Sequence, residues 1–360
     1  MDRVSKLLEL LDLNDLDGIF LNKKSNVNYI SRFSDESAYV LVCKDNNYLI
    51  TDGRFTELAE KECKNFKVLN WHSYDRKLVN AIKYICYEND IKRLGFERFN
   101  LTFDGYEEMF NKLHGVQLAP IENLVESLRY TKDEEEIENI KKACKIADNS
   151  LEELVPYIKP GISERELCAR LEFYMKMKGA DEIGFETILI SGKKTSLPHG
   201  KPSDKLIENG DFVTIDFGAK YKGYISDMTR TFIVGEANEV QLEIYNLVKD
   251  AQETGLKHLK AGVYANEPDK AIREIIKKYE DFYYPGIGHG VGMDLHEQPF
   301  LGDYGTKVLE KNCVVTMEPG LYIPNFGGVR IEDTVVIKED GIEILTNFPK
   351  DLMVLKEFNF

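Results

Sequence analysis

The stretch TIDFGAKYKGYISDMTRTF, residues 214–232, reads as two β-strands joined by a tight turn, because β-branched and aromatic residues flank a Gly-bounded AKYKG. With the turn centred between Tyr221 and Lys222, Asp216 falls directly opposite Asp227, their Cβ atoms roughly 5 Å apart on one face. Like charges so placed destabilise a hairpin. Either the pair lies on the solvated face of a frayed hairpin, or a cation lies between the two carboxylates. Registers slip easily, so this hairpin alone favours the solvated reading.

A second hairpin repeats the problem. Glu318 in VVTMEPGLYI and Glu332 in GGVRIEDTVVI flank a Pro324-Asn325-Phe326-Gly327-Gly328 turn that can again bring two carboxylates onto one face. Each acid interrupts an apolar strand, and an unpaired carboxylate in a buried strand costs several kcal/mol. Four such interruptions are harder to dismiss than one. GIGHGVGMDLHEQP adds a histidine, His289, on the side of the extended chain away from the alternating Gly286, Gly288, Gly290 and Gly292. This is not the dinucleotide fingerprint, since Val291 stands where its third glycine would fall. The glycines permit backbone crowding or the close approach of a ligand.

Asp216, Asp227, His289, Glu318 and Glu332 thus offer four carboxylates and one imidazole. That set balances two divalent cations about 3.5–4 Å apart, and its oxygen-rich character suits Mn, Co, Fe or Zn. A looser echo runs through this half of the chain. His199, Asp216 and Asp227 recur in order as His296, Glu318 and Glu332, which suggests two similar halves around one centre.

Composition sets the frame. At 360 residues two domains are expected, and 43% hydrophobic with 30% charged residues is ordinary for a globular chain. A net charge of -15 argues against nucleic-acid and anionic-membrane partners. The acidic N-terminal pattern has no basic n-region or cleavage site, and no apolar run approaches the ~20 residues of a membrane span. Six scattered cysteines without a CxxC pair fit reduced thiols in a cytoplasmic protein.

The first 120 or so residues alternate strand-like runs (GIFL, YVLVC, YLIT, KVLNW, RLGFE) with helical patterns at 3–12, 54–64 and 75–88, so a mixed sheet is expected. His72 and His114 stand isolated there. The change comes at SLRYTKDEEEIENI, where Thr131 can cap a helix rich in acids in its first turn. The boundary is therefore placed near residue 125.

The motifs SLPHG (196–200), residues 214–232, GHGVGMDLHEQP (288–299), MEPGLYI (317–323) and GGVRIED (327–333) together resemble the pita-bread metallopeptidases, in the branch of Xaa-Pro aminopeptidase and Xaa-Pro dipeptidase (prolidase). The resemblance implies an α+β architecture, with a mixed α/β creatinase-like domain over 1–125 and a pita-bread catalytic domain with pseudo-twofold halves over 126–360. It implies that Asp216, Asp227, His289, Glu318 and Glu332 ligate two divalent metal ions per chain, manganese first among the candidates. By the same resemblance Glu318 is the catalytic base, while His199 and His296 contact the substrate carbonyl and stabilise the tetrahedral intermediate. Arg330 is placed at the substrate site, where it orients neighbouring acids such as Glu332 or Asp333. The implied substrates are short peptides with proline at the second position, and the implied assembly is a homodimer.

One departure matters. Relatives often carry Arg directly after the HExP motif, where it holds the free proline carboxylate of a dipeptide, and here that place is Phe300. Lys307 or a basic residue of a second subunit is an alternative source of charge. Methionine aminopeptidase lacks the added N-terminal domain and the SLPHG and HEQP context, and creatinase does not keep the five ligands. A non-enzymatic peptide-binding module on the same fold is the rival from another class.

Overall fold

In the computed structural model, which describes residues 2–35 and 37–356, the β-branched runs of the first third pair into one mixed sheet. Its strands are β1 (Gly18–Leu21), β2 (Ala38–Cys43), β3 (Asn46–Thr51), β4 (Lys67–Asn70), β5 (Arg93–Glu97) and β6 (Gln117–Ile121), in the order β4-β3-β2-β1-β5-β6. β1–β2 and β2–β3 are antiparallel; the other pairs are parallel. The sequence reading missed β6 because it contains Pro120, which the ladder tolerates at a sheet edge. This compact unit ends at Arg129 and a second starts at Tyr130. The helix Leu124–Arg129 closes the first, where Arg129 Nη1 donates to the buried Asn26 Oδ1 at 2.7 Å.

The second unit opens with the helix Glu134–Leu154. Asp133, not Thr131, is its N-cap: the Asp133 side chain accepts the Glu136 amide, and Glu136 reaches back to the Asp133 amide. This reciprocal capping box satisfies two otherwise orphaned donors. The strands that follow are β7 (Glu182–Ile183), β8 (Ile188–Ser191), β9 (Phe212–Phe217), β10 (Ala219–Tyr221), β11 (Tyr224–Ile225), β12 (Met228–Val234), β13 (Gly286–Gly290), β14 (Glu297–Gly302), β15 (Val314–Met317), β16 (Gly320–Ile323), β17 (Gly327–Arg330), β18 (Asp333–Ile337), β19 (Ile342–Ile344) and β20 (Val354–Leu355). Among the described residues they form the main sheets β20-β12-β9-β8 and β14-β13-β15-β18-β19, with β11-β10-β7 and β16-β17 as smaller ones.

The echo in the sequence corresponds to a repeated build. Helices Glu134–Leu154 and Glu164–Met177 share a core with β8, β9 and β12 (Leu151, Leu171, Leu189, Ile215, Phe232). Helices Glu239–Lys257 and Glu267–Ile276 share another with β13, β15 and β18 (Val248, Ile272, Ile287, Val315, Val335). Each half is a helix pair laid on a sheet whose central antiparallel strands carry acids at their ends. The architecture is α+β, as the resemblance implied.

Candidate metal centre

The first hairpin turns one residue later than the sequence reading placed it. Lys222 (φ 48°) and Gly223 (φ 82°) both adopt left-handed backbone, the signature of a two-residue type I′ loop. The centre therefore falls between Lys222 and Gly223, and Tyr221 pairs with Tyr224. Asp216 then faces Thr229, and Asp227 lies one diagonal step away on the same face. Diagonal neighbours sit roughly 7 Å apart, which leaves more room between the carboxylates than direct opposition does.

The second pair sits in a deliberate gap. Both flanking ladders keep one register, Met317 with Asp333 and Gly320 with Arg330, so Glu318 and Glu332 fall opposite each other between them. They do not pair: the Glu318 amide donates to Ile287 O at 2.9 Å and the Glu332 amide to Thr229 O at 3.1 Å. Each acid thereby sits where its strand leaves one partner for another. That explains how an apolar strand carries it.

His289 projects from β13 between two glycines, Gly288 and Gly290, that are places of backbone crowding. A Cβ on Gly288 (φ 155°) would lie 2.2 Å from Thr316 O, and one on Gly290 2.4 Å from Gln298 O. This close approach lets His289 Nε2 come within 3.3 Å of Glu318 Oε1 and 3.5 Å of Asp227 Oδ2. Donor atoms of Asp227, His289 and Glu332, all buried, lie within 4.8 Å of one another. Asp216 and Glu318 border the same cavity, of 620 Å³.

Among the described residues, three buried oxygens here have no hydrogen-bond partner: Asp216 Oδ1, Asp227 Oδ1 and Glu332 Oε1. Buried carboxylate oxygens are almost always satisfied, so three orphans converging on one cavity ask for a ligand. Burial first, then neighbouring negative charge, pushes the Asp227 and Glu332 carboxyls well above the usual carboxylate range. Burial also pushes Glu318 up to about 7 and His289 down. Without cations the site cannot hold its full charge; divalent ions relieve this, so the donor set fits them.

Four other residues singled out above line the cavity: His199, His296, Phe300 and Arg330. The His296 ring packs edge-on against His289, centroids 4.3 Å apart. Phe300 stands on β14 opposite His289, 42% exposed. Lys307 is exposed and is not among the lining residues. Arg330 orients acids, but chiefly a different one from those expected. Its Nη2 meets Asp216 Oδ2 at 2.5 Å, and its Nε donates to Thr229 Oγ1, which in turn donates to Glu332 Oε2 at 2.6 Å. Asp333 is held instead by Arg230 and Lys350. Thr229, Thr316 and Tyr322 escaped the sequence reading. Thr316 Oγ1 accepts the His289 amide and donates to Glu318 Oε1, and Tyr322 OH accepts from Arg330. Isolated hydroxyls in strands give no signal of such partners.

With this geometry in hand, comparison with known proteins decides the family. Residues 138–339 match Metallopeptidase family M24, and residues 3–131 match the Creatinase/Prolidase N-terminal domain. The chain belongs to metallopeptidase family M24. As a member it is an enzyme, a peptidase dependent on divalent metal, and the reading as a non-enzymatic module is set aside. An Xaa-Pro dipeptidase of Pyrococcus furiosus is 40% identical over 98% of this chain and 99% of its own. A solved Xaa-Pro dipeptidase from Bacillus anthracis superposes with a TM-score of 0.94 at 38% identity, covering 98% of this chain and 99% of that one. An X-Pro aminopeptidase from Thermotoga maritima superposes with a TM-score of 0.91 at 34% identity, over 99% and 100%. No helix among the described residues is long and apolar enough to cross a membrane.

Proposed function

We propose that this M24 peptidase hydrolyses the bond preceding proline in peptides with proline at the second position, releasing the N-terminal residue. The observation that carries it is the convergence of Asp216, Asp227, His289, Glu318 and Glu332 on one cavity with three oxygens unsatisfied, in a chain related to enzymes named for Xaa-Pro bonds. Those five residues would hold two divalent ions, manganese foremost and cobalt, iron or zinc as alternatives, which when bound lower the pKa of water and polarise a carbonyl.

The chain's own residues supply the proton traffic. As water oxygen bonds to the scissile carbonyl carbon, Glu318 takes the proton that water loses. It returns that proton to the proline nitrogen, which has no N–H and needs one to leave as a secondary amine when the C–N bond breaks. His199 and His296 donate N–H bonds to the carbonyl oxygen as it gathers negative charge. Arg330 holds the Asp216 carboxylate in its aim. Because catalysis of this kind does not dock the substrate as a strand, the missing amide hydrogen of proline carries no penalty.

Within this class we favour Xaa-Pro-Yaa peptides over Xaa-Pro dipeptides. Phe300 offers no cation for a proline carboxylate, Arg330 is taken by Asp216, and Lys201, the other cationic lining residue, pairs with Glu186 at 2.8 Å. The family likeness also supports a homodimer, and six unbonded cysteines support a reducing, cytoplasmic setting. The test is a panel of Ala-Pro-Ala, Ala-Pro and Ala-Ala-Ala with Mn, Co or Zn added to metal-stripped protein. Metal-dependent release of alanine from the proline peptides alone is expected; equal cleavage of Ala-Ala-Ala refutes proline specificity.

A further inference from the structure

His199 lines the cavity, yet among the described residues no hydrogen bond fixes its imidazole. Its aim therefore depends on the backbone that carries it, the segment from Ser191 through the 3-10 turn Gly192–Ser196 to Ser203. That segment is closed on itself by one side chain outside it. Glu164, the first residue of the helix Glu164–Met177, is fully buried. Its Oε1 accepts the Ser191 amide at 2.7 Å and the Ser191 hydroxyl at 3.0 Å. Its Oε2 accepts the Ser203 amide at 2.9 Å, the Ser203 hydroxyl at 2.8 Å and Lys194 Nζ at 2.7 Å. Lys194 also donates to Lys201 O at 2.5 Å, tying the 3-10 turn to the returning chain.

We propose that Glu164 is a positioning residue for His199, its buried carboxylate clasping both ends of the 191–203 segment so that the imidazole meets the substrate carbonyl. The clasp works against a second anchor. Arg330 Nη1 donates to Pro198 O at 3.3 Å, and the Gly328 amide donates to Thr195 Oγ1 at 2.8 Å. The segment is thus held from the helix on one side and from β17 on the other, with His199 between the anchors. A buried carboxylate receiving five donors is costly to satisfy by any other side chain of the same size. Gln at this place presents an amide N–H toward donors it cannot accept.

This inference rests on the proposed proline-peptidase reading, and the experiment separates the two. Glu164→Gln, His199→Ala and the double variant are compared at equal metal loading with Ala-Pro-Ala, alongside hydrogen exchange of residues 191–203 and tryptic cleavage after Lys193 or Lys194. Glu164→Gln is expected to lower kcat by about 10- to 100-fold, to leave metal content unchanged, to speed exchange and cleavage in the segment, and to cost nothing further once His199 is Ala. An equal loss of kcat in both backgrounds, or unchanged exchange and cleavage, overturns it. Should Glu164→Gln not fold, Lys194→Met loosens the same clasp and is judged by kcat with and without His199, by hydrogen exchange of the segment and by cleavage after Lys193 alone. If the wild type cleaves no Xaa-Pro peptide, the functional reading falls, and exchange and cleavage in the segment still decide whether Glu164 holds it.

Discussion

Lys132 and Glu297 form an ion pair at 2.6 Å with side chains only 2% and 6% exposed. Glu297 follows His296 directly, and a Cβ on Gly292 would lie 2.3 Å from its Oε1, so little water can enter. Lys132→Met keeps the bulk of the stem and removes the charge. Taking one partner from a buried pair costs about 3–5 kcal/mol, because the other charge stays behind desolvated. At this burial we expect about 4 kcal/mol, which for a unit of this size lowers Tm by roughly 10 °C. Replacing both residues by Met removes both charges and should recover most of the loss. Calorimetry of the wild type, both single variants and the double gives the coupling energy. A Tm within about 2 °C of wild type for Lys132→Met, or a double variant as unstable as the sum of the singles, would refute the reasoning.

Elemental analysis of metal-reconstituted protein should find about two divalent ions per chain, and Asp227→Ala or Glu332→Ala should lower that content. His296→Ala should retain the metal and lose about 10²–10³ in kcat, as expected for one donor to the developing oxyanion; normal turnover would remove His296 from that role. Ala-Pro-Ala should show a higher kcat/KM than Ala-Pro, and Phe300→Arg should raise the value for the dipeptide. A wild type already favouring Ala-Pro, with no gain in the Arg variant, would show that the missing cation does not set the preference.

Some of this was open to a reader of the chain alone, and for a definite reason. A carboxylate in an apolar strand is costly wherever the strand ends up, so Asp216, Asp227, Glu318 and Glu332 pointed to a common centre, as did the glycine-spaced His289, and all five border one cavity. The same motifs indicated the family and the α+β architecture, because residue types at fixed spacing survive without coordinates. Register did not. The left-handed pair Lys222–Gly223 moved the turn and set Asp216 against Thr229 instead of Asp227. The partners of the site residues were equally hidden. Arg330 reaches Asp216 across 114 positions and Thr229 reaches Glu332 across 103, while Glu164 holds a segment that starts 27 residues away. A polar side chain states in sequence only that it needs a partner. Which partner it finds is decided when strands splay and segments close around it, and only the tertiary structure makes that choice.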